Sequence, residues 1–291
     1  MPLGVLPAPP DAVIDLAADA RPVAAAVPDW VRPALTWTGL VFLVAVLVPP
    51  LSALAGRYEF VEALRFSVLA VAVPALLALG APWRSLHLAA AVPASGDGEG
   101  AVDMRPAPPT HLVDRVAAGR RRHLGFGRGL AALLVEMTLV LLARTPAVVD
   151  AIAEHSWLAL VEAAVLIAGG LAFWLEIVES PPLRPRLSRP KRIALAAVAM
   201  WTVWVSAYIM GLSHGSVYSH YHQLAGGLSV AADQELATFV LWFIAAAAFV
   251  PIVFWNLVAW LRADEDPDDS LQRIVRESHR RTWGPAPGPK D

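Results

Sequence analysis

Cysteine is absent from the 291 residues, which excludes disulfides, thiolate metal sites and thiol chemistry. A soft metal would therefore have to be bound by histidine, methionine or carboxylate side chains. Charged residues are scarce at 16%, whereas 57% of the residues are hydrophobic and the mean hydropathy is +0.54. This composition is too apolar for an ordinary soluble domain and indicates an integral membrane protein.

An excess of positive charge is also lacking. The formal net charge is -2 and the basic residues stand in short tracts, so nothing indicates a nucleic-acid partner. The sequence has no phosphate loop, nucleophile elbow, HExxH or haem-attachment motif, and by itself it specifies no reaction.

Six segments contain the roughly 20 apolar residues that a helix needs to cross a hydrocarbon core of about 30 Å. They predict an all-α fold, a polytopic membrane helix bundle with six transmembrane helices, within residues 34–261. Pro49-Pro50 and Pro74 fall late in the first two spans and predict kinks there. The spans run roughly over Ala34–Leu54, Val61–Leu79, Gly127–Ala143, Trp157–Ile177, Ile193–Leu212 and Leu236–Leu261.

The two ends of the chain lie outside this bundle. Residues 1–33 are predicted to be a cytoplasmic or interfacial arm with a short helix beginning at Asp11. They do not resemble a cleaved signal peptide, because they lack a basic start and have aspartates within the apolar part. Residues 262–291 are predicted to be a cytoplasmic tail with a short amphipathic helix beginning at Asp269 or Ser270.

A long cytoplasmic loop, residues 82–125, separates the second and third spans. Its middle is rich in glycine, proline and acidic residues and is predicted to be disordered. From Thr110 the apolar positions have helical spacing and end at the basic block Arg120–Arg122. This pattern predicts a helix on an anionic membrane surface, and a solvated helix explains it nearly as well.

The 23 Lys and Arg residues predict the orientation, because loops rich in them stay in the cytoplasm. The N-terminal arm has two of them, the second loop seven, the fourth loop five and the tail six. The opposite side has only Arg57, Arg65 and Arg144. Both termini are therefore predicted to be cytoplasmic, and the stretch SHGSVYSHYHQL, residues 213–224, to lie on the outer face.

Four histidines are candidate metal ligands on this outer face. They are His155, in the third loop, and His214, His220 and His222, in the stretch SHGSVYSHYHQL. Imidazole binds copper, zinc or iron, and the His-Tyr-His spacing occurs in copper and zinc sites. The alternative is a polar outer loop that has no Lys or Arg because the orientation requires it.

Two glutamates, Glu136 and Glu162, lie inside predicted spans, where a charge is costly. Such residues are expected to face the bundle interior and are candidates for function, although each could simply hydrogen-bond across a helix pair. Neither has an obvious basic partner at membrane depth. Gly169-Gly170, in the same span as Glu162, predicts a close helix contact.

Six tracts stand out by their order and spacing. They are VLVPPLSAL (46–54), PALLALGAP (74–82), RTPAVVDAI (144–152), LVEAAVLIAGGLAFW (160–174), RLSRPKRIALAAVAM (186–200) and GGLSVAADQELA (226–237). Together they resemble the CtaG-type cytochrome c oxidase assembly factors, bacterial membrane proteins implicated in delivering copper to the oxidase. The most specific part is Asp233-Gln234 combined with the Leu-Ser-Arg-Pro of residues 187–190, ahead of the fifth span. Asp233 and Gln234 could cap the sixth helix or hydrogen-bond to a partner.

The resemblance implies histidines at five positions where this chain has other residues. These positions are Glu62, Phe66, Arg144, Ala159 and Ala163. Alanine and phenylalanine offer no lone pair to a metal, and arginine repels a cation. Of that constellation the chain keeps Glu162.

The resemblance implies an accessory factor for cytochrome c oxidase assembly in the bacterial plasma membrane, with no catalysis of its own. Its partners would be oxidase subunits or other respiratory-complex proteins, within the lipid bilayer. Two kinds of assembly factor stay open. One binds copper through the outer histidines, and the other is a scaffold that binds no metal. A rival from another class is a small-solute or ion transporter with Glu136 and Glu162 on its path, although no internal repeat supports it.

Overall fold

The computed structural model describes residues 27–85, 125–183, 185, 187–213, 216–223 and 227–264, together with residues 113, 115, 116 and 120. The helices predicted to begin at Asp11 and at Asp269 or Ser270 lie outside these residues. So does most of the long loop, including its predicted disordered middle.

Within the described ranges the regular elements are helices. In chain order they are α1 (Arg32–Leu47), α2 (Leu51–Ala55), α3 (Glu59–Gly80), α4 (Pro82–Ser85), α5 (Gly125–Ala143), α6 (Pro146–Glu154), α7 (Leu158–Ile177), α8 (Arg189–Gly211), a 3-10 helix (Ser219–Gln223) and α9 (Val230–Asp264). Five of these, α3, α5, α7, α8 and α9, are long and apolar enough to cross a membrane. The predicted all-α membrane bundle is confirmed, with α1 as a shorter sixth apolar helix.

The first predicted span is interrupted. α1 ends at Leu47, Val48 has extended backbone angles, and the chain becomes helical again only at Leu51. Pro49 and Pro50 explain the break, because they lack N–H donors and disfavour helical geometry in the residue before them. The 16 residues of α1 extend about 24 Å, less than the full hydrocarbon core.

The second predicted span, α3, stays continuous through Pro74. It contains one π-helical turn, Val68–Ala72, just before the proline. A proline ring clashes with the carbonyl four residues earlier, here that of Ala70, and the wider turn accommodates this mismatch. The structure thus has a π turn next to Pro74, and a kink of the helix axis there stays a prediction.

Gly170 of α7 packs directly against this turn. A Cβ atom at position 170 would lie 2.6 Å from Cγ of Pro74 and 2.9 Å from the carbonyl oxygen of Ala70. The close helix contact predicted from Gly169-Gly170 is therefore present.

Replacing Gly170 with alanine should lower the free energy of unfolding by about 1–3 kcal/mol, because a proline ring and a backbone carbonyl must move. Gly127→Ala is the matched control, since nothing lies within 4 Å of a Cβ atom there. It should leave stability unchanged or slightly higher. Thermal unfolding in detergent measures both, and an unshifted midpoint for Gly170→Ala would contradict the contact.

α3 is the central helix of the bundle. Its most apolar stretch is 78% buried, against 22–39% for the other four spans. It packs mainly against α9, α7 and α1. The core between these helices includes Trp174 stacked on Phe249, with ring centres 4.8 Å apart.

The bundle has two distinct ends. The histidine end contains α2, α6, the 3-10 helix and the first residues of α3, α7 and α9. Hydrogen bonds from Tyr221 to the carbonyl of Ala55 and from Ser219 to Asp150 hold it together, each at 2.7 Å. The arginine end contains α4, the last residues of α3 and α7, and the first residues of α5 and α8.

Candidate functional site

A cluster of charged side chains lies inside the bundle near the histidine end. Arg65 of α3 donates from Nε and Nη2 to the two carboxylate oxygens of Glu62, at 2.7 and 2.9 Å. Its Nη2 also donates to Oε2 of Glu162 on α7, at 2.7 Å. All three side chains are at most 6% exposed. One guanidinium thus bridges carboxylates from two helices, in surroundings where a charge is stable only when paired.

The expectation that Glu162 has no basic partner at membrane depth is therefore wrong. Arg65 and Glu162 lie in different predicted spans, and opposite charges at membrane depth are costly apart and favourable together. Glu62 stands three residues before Arg65, on the same helix face. The sequence thus contains the signal for the Glu62–Arg65 pair and makes Arg65 a candidate partner for Glu162.

Arg144, at the end of α5, is the second cation of the region and is 7% exposed. Its guanidinium carbon lies 5.3 Å from the ring centre of Phe66 and 5.0 Å from that of Tyr218. Both rings are therefore within the distance at which cation–π attraction acts. The hydroxyl of Tyr218 donates to the backbone carbonyl of Arg144 at 3.2 Å. Burial raises the pKa of Tyr218 to about 12, so the hydroxyl keeps its proton.

A cavity of about 430 Å³ borders the cluster. Glu62, Arg65 and Tyr221 line it among mostly apolar neighbours, and the hydroxyl-bearing Ser52 and Ser156 face it as well. Its volume is within the range of small-molecule sites. The cluster is therefore bordered by open space on one side.

The five positions at which the resemblance implies histidine lie in this region. Glu62 and Ala159 line the same cavity, Phe66 lies against Arg144, and Ala163 is buried in the same part of α7. The family correspondence is thus spatially consistent, although the residues differ.

The side chains of this region do not fit a copper ion. Both carboxylates already bind the guanidinium of Arg65, and the second guanidinium, Arg144, would repel a cation. Phenylalanine and alanine supply no ligand atom. Within the described ranges, no group of three or more histidine, aspartate or glutamate side chains could hold a metal ion.

The candidate histidines of the outer face are described only in part. His155 follows the last residue of α6 and is exposed. His220 lies in the 3-10 helix, with its Nε2 2.9 Å from the carbonyl oxygen of Gly56. The side chains of His214 and His222 lie outside the part of the chain that the structure describes. The four-histidine metal site stays a prediction.

Asp150 of α6 anchors the 3-10 helix that contains His220. Its carboxylate accepts hydrogen bonds from Oγ of Ser219 at 2.7 Å and from the backbone N–H of His220 at 3.2 Å. Partial burial by itself raises the pKa of Asp150, but these hydrogen bonds outweigh it and hold the pKa below its usual value. The anchor is therefore ionised at neutral pH.

Asp233 does not cap its own helix, contrary to one of the two expected roles. α9 begins three residues earlier, at Val230. The Asp233 carboxylate accepts hydrogen bonds from the backbone N–H groups of Glu59 and Phe60, each at 2.9 Å. It satisfies two free donors at the start of α3 and so caps that helix instead.

Gln234 joins α9 to the end of α8. Its amide Nε2 donates to the carbonyl oxygen of Met210 and to Oγ of Ser213, the latter at 2.6 Å. Asp233 and Gln234 thus both have hydrogen-bond partners inside the chain, where they hold the histidine end together.

Glu136 of α5 is 4% exposed and faces protein, as expected of a glutamate inside a span. A Cβ atom at Gly169 of α7 would lie 3.4 Å from its Oε2, so this glycine leaves room for the carboxyl group between the two helices. A second cavity, of about 370 Å³, lies beside Glu162. Glu136 does not line this cavity.

A second ion cluster, at the arginine end, has no counterpart in the predictions. Glu176 is 1% exposed and accepts hydrogen bonds from Nη2 of Arg120 at 2.7 Å and from Nε and Nη2 of Arg128 at 2.7 and 3.1 Å. The side chain of Arg120 therefore points into the bundle, whereas the prediction placed its helix on the membrane surface or in solvent. A glutamate at the end of a span, next to two basic loops, was the available signal.

One protein-family model matches residues 16–263 of the chain, that of the cytochrome c oxidase caa3 assembly factors (Caa3_CtaG). No curated protein and no solved structure matches the chain. The matched region includes the five spans, the Arg65 cluster and Asp233-Gln234. The chain therefore belongs to the family of cytochrome c oxidase caa3 assembly factors.

Proposed function

We propose that this chain is an accessory factor for cytochrome c oxidase assembly that acts as a membrane scaffold or partner, with no catalysis and no copper of its own. Membership of the assembly-factor family supports the link to the oxidase. The observation that carries the scaffold form is the ion cluster of Arg65, Glu62 and Glu162. It lies where the resemblance implies copper-binding histidines, and its side chains do not fit the metal.

The proposed location is the bacterial plasma membrane, with both termini in the cytoplasm and the histidine end outside. Of the three basic residues at that end, Arg65 and Arg144 are buried in the bundle and Arg57 is exposed. An end with so few exposed basic groups supports an outer position.

A second candidate is copper handling by His155, His214, His220 and His222. It is favoured by the position of His220 next to the cavity beside the ion cluster, since its ring centre lies 5.0 Å from that of the cavity-lining Tyr221. A transporter has less support, because Glu162 is held in an ion pair by Arg65.

Deleting the gene from its parent bacterium should lower cytochrome c oxidase activity, and the wild-type gene should restore it. Oxidation of reduced cytochrome c by isolated membranes measures the activity, and immunoblots of the oxidase subunits measure assembly. Unchanged activity and subunit levels in the deletion strain would overturn the proposed function.

Complementation with the His220→Ala, His222→Ala double variant separates the two forms. As a scaffold, this variant should restore full activity, extra copper in the medium should not replace the gene, and the purified wild-type protein should bind no copper above a detergent blank. If the double variant loses both activity and bound copper, the copper-handling form is correct.

A further inference from the structure

A groove runs along the membrane-facing side of the bundle between α5 and α8. Met137 and Leu141 form its wall on α5, and Val198, Val205 and Ile209 form its wall on α8. Its volume is about 680 Å³ and its lining is almost entirely apolar. Because α5 and α8 are predicted spans, this surface lies against hydrocarbon.

The length of the groove matches one membrane leaflet. From Val198 to Ile209 the helix rises by about 16 Å, and one leaflet contributes about half of a 30 Å hydrocarbon core. The groove is therefore long enough for the acyl chain of a lipid whose headgroup lies at the histidine end.

Arg144 stands at that end of the groove, together with Met210 and Ser213. It is 7% exposed, and among the described residues the one acceptor for its Nη2 is the Met210 sulfur at 3.8 Å, a weak acceptor. Nε and Nη1 have no hydrogen-bond partner in the part of the chain that the structure describes. Glu162 attracts this guanidinium. Within the described residues, however, its Oε2 is bound to Arg65 and its Oε1 makes no hydrogen bond, so Glu162 does not pair directly with Arg144.

A buried guanidinium whose Nε and Nη1 have no acceptor is unfavourable until one, best an anionic one, pairs with it. We propose that the groove binds an anionic phospholipid, with one acyl chain between α5 and α8 and its phosphate group on Arg144. The apolar groove and the cation at its end match the two parts of such a molecule. This site is independent of the proposed role in oxidase assembly.

Native mass spectrometry tests the proposal on the full chain in detergent, offered equal amounts of phosphatidylglycerol and phosphatidylcholine with identical acyl chains. Both lipids carry a phosphate, but the choline ammonium of phosphatidylcholine offsets its charge beside Arg144. The wild type should therefore retain the net-anionic phosphatidylglycerol in about tenfold excess. Arg144→Gln should abolish the excess. Arg57→Gln, which removes an exposed charge at the same end but does not line the groove, should keep it.

A second variant keeps the test decisive if Arg144→Gln fails to fold. Ile209→Trp fills the groove from a position that is 62% exposed, so the fold is retained while the acyl chain is displaced. It should lose bound phosphatidylglycerol with Arg144 intact. Equal binding of the two lipids by the wild type, or an excess unaffected by Ile209→Trp, would overturn the proposal. If a crosslinker at position 209 captured an oxidase subunit and no lipid, the proposal of a lipid in this groove would also be overturned.

Discussion

Replacing Arg65 with methionine should destabilise the protein by about 3–5 kcal/mol, because it leaves two buried carboxylates without their cation. The Glu62 and Glu162 side chains are each 6% exposed and both bind the same guanidinium, so removing Arg65 leaves two carboxylates that are largely shielded from water. Unfolding in detergent with increasing SDS measures the loss. The amount of folded protein recovered from membranes should fall with it.

A charge-neutral triple variant separates the missing cation from the missing side chain. Arg65→Met combined with Glu62→Gln and Glu162→Gln removes all three charges of the cluster and should recover most of the lost stability. Arg262→Met, at the exposed end of α9, is the control and should change stability by no more than about 0.5 kcal/mol. If Arg65→Met is as stable as the wild type, the ion cluster does not stabilise the fold.

The positions of the spans follow from the sequence because apolar length alone determines them. The predicted segment Trp157–Ile177 corresponds to α7, Leu158–Ile177, within one residue. The last helix is longer than its predicted segment and begins at Val230 rather than at Leu236. Its first turns are polar because Asp233 and Gln234 bind other helices, which an apolar count cannot detect.

The candidate site follows from the sequence only in part. Burial of Glu136 and Glu162 is predictable, because hydrocarbon excludes charge. The partner of Glu162 does not follow from its depth in the membrane. The rotation of each helix and its neighbours depend on packing between residues that are far apart in the sequence. The capping of α3 by Asp233 joins residues about 174 positions apart, and no local pattern contains that information.

Replacing Glu176 with glutamine should release Arg120 from the bundle and speed tryptic cleavage after it by tenfold or more. The carboxylate accepts charge-assisted hydrogen bonds from Arg120 and Arg128. Each is worth about 1.5–3 kcal/mol. A loss of about 1.4 kcal/mol raises the population of molecules in which Arg120 is released by a factor of ten. When opening is faster than cutting, the cleavage rate follows that population. Mass spectrometry of the fragments identifies the bond cut.

Glu179→Gln is the matched control for this prediction. Glu179 is 29% exposed and lies 3.4 Å from Arg192, a weaker pair that does not involve Arg120, so its loss should leave the cleavage rate unchanged. Arg128→Gln should also accelerate cleavage. Arg128 donates to the backbone carbonyl of Arg120 at 2.7 Å, which belongs to the peptide bond that trypsin cuts. Cleavage at the wild-type rate in both Glu176→Gln and Arg128→Gln would mean that contacts other than this cluster hold Arg120. Acceleration in both, with Glu179→Gln unchanged, would establish that Glu176 fixes Arg120 to the bundle.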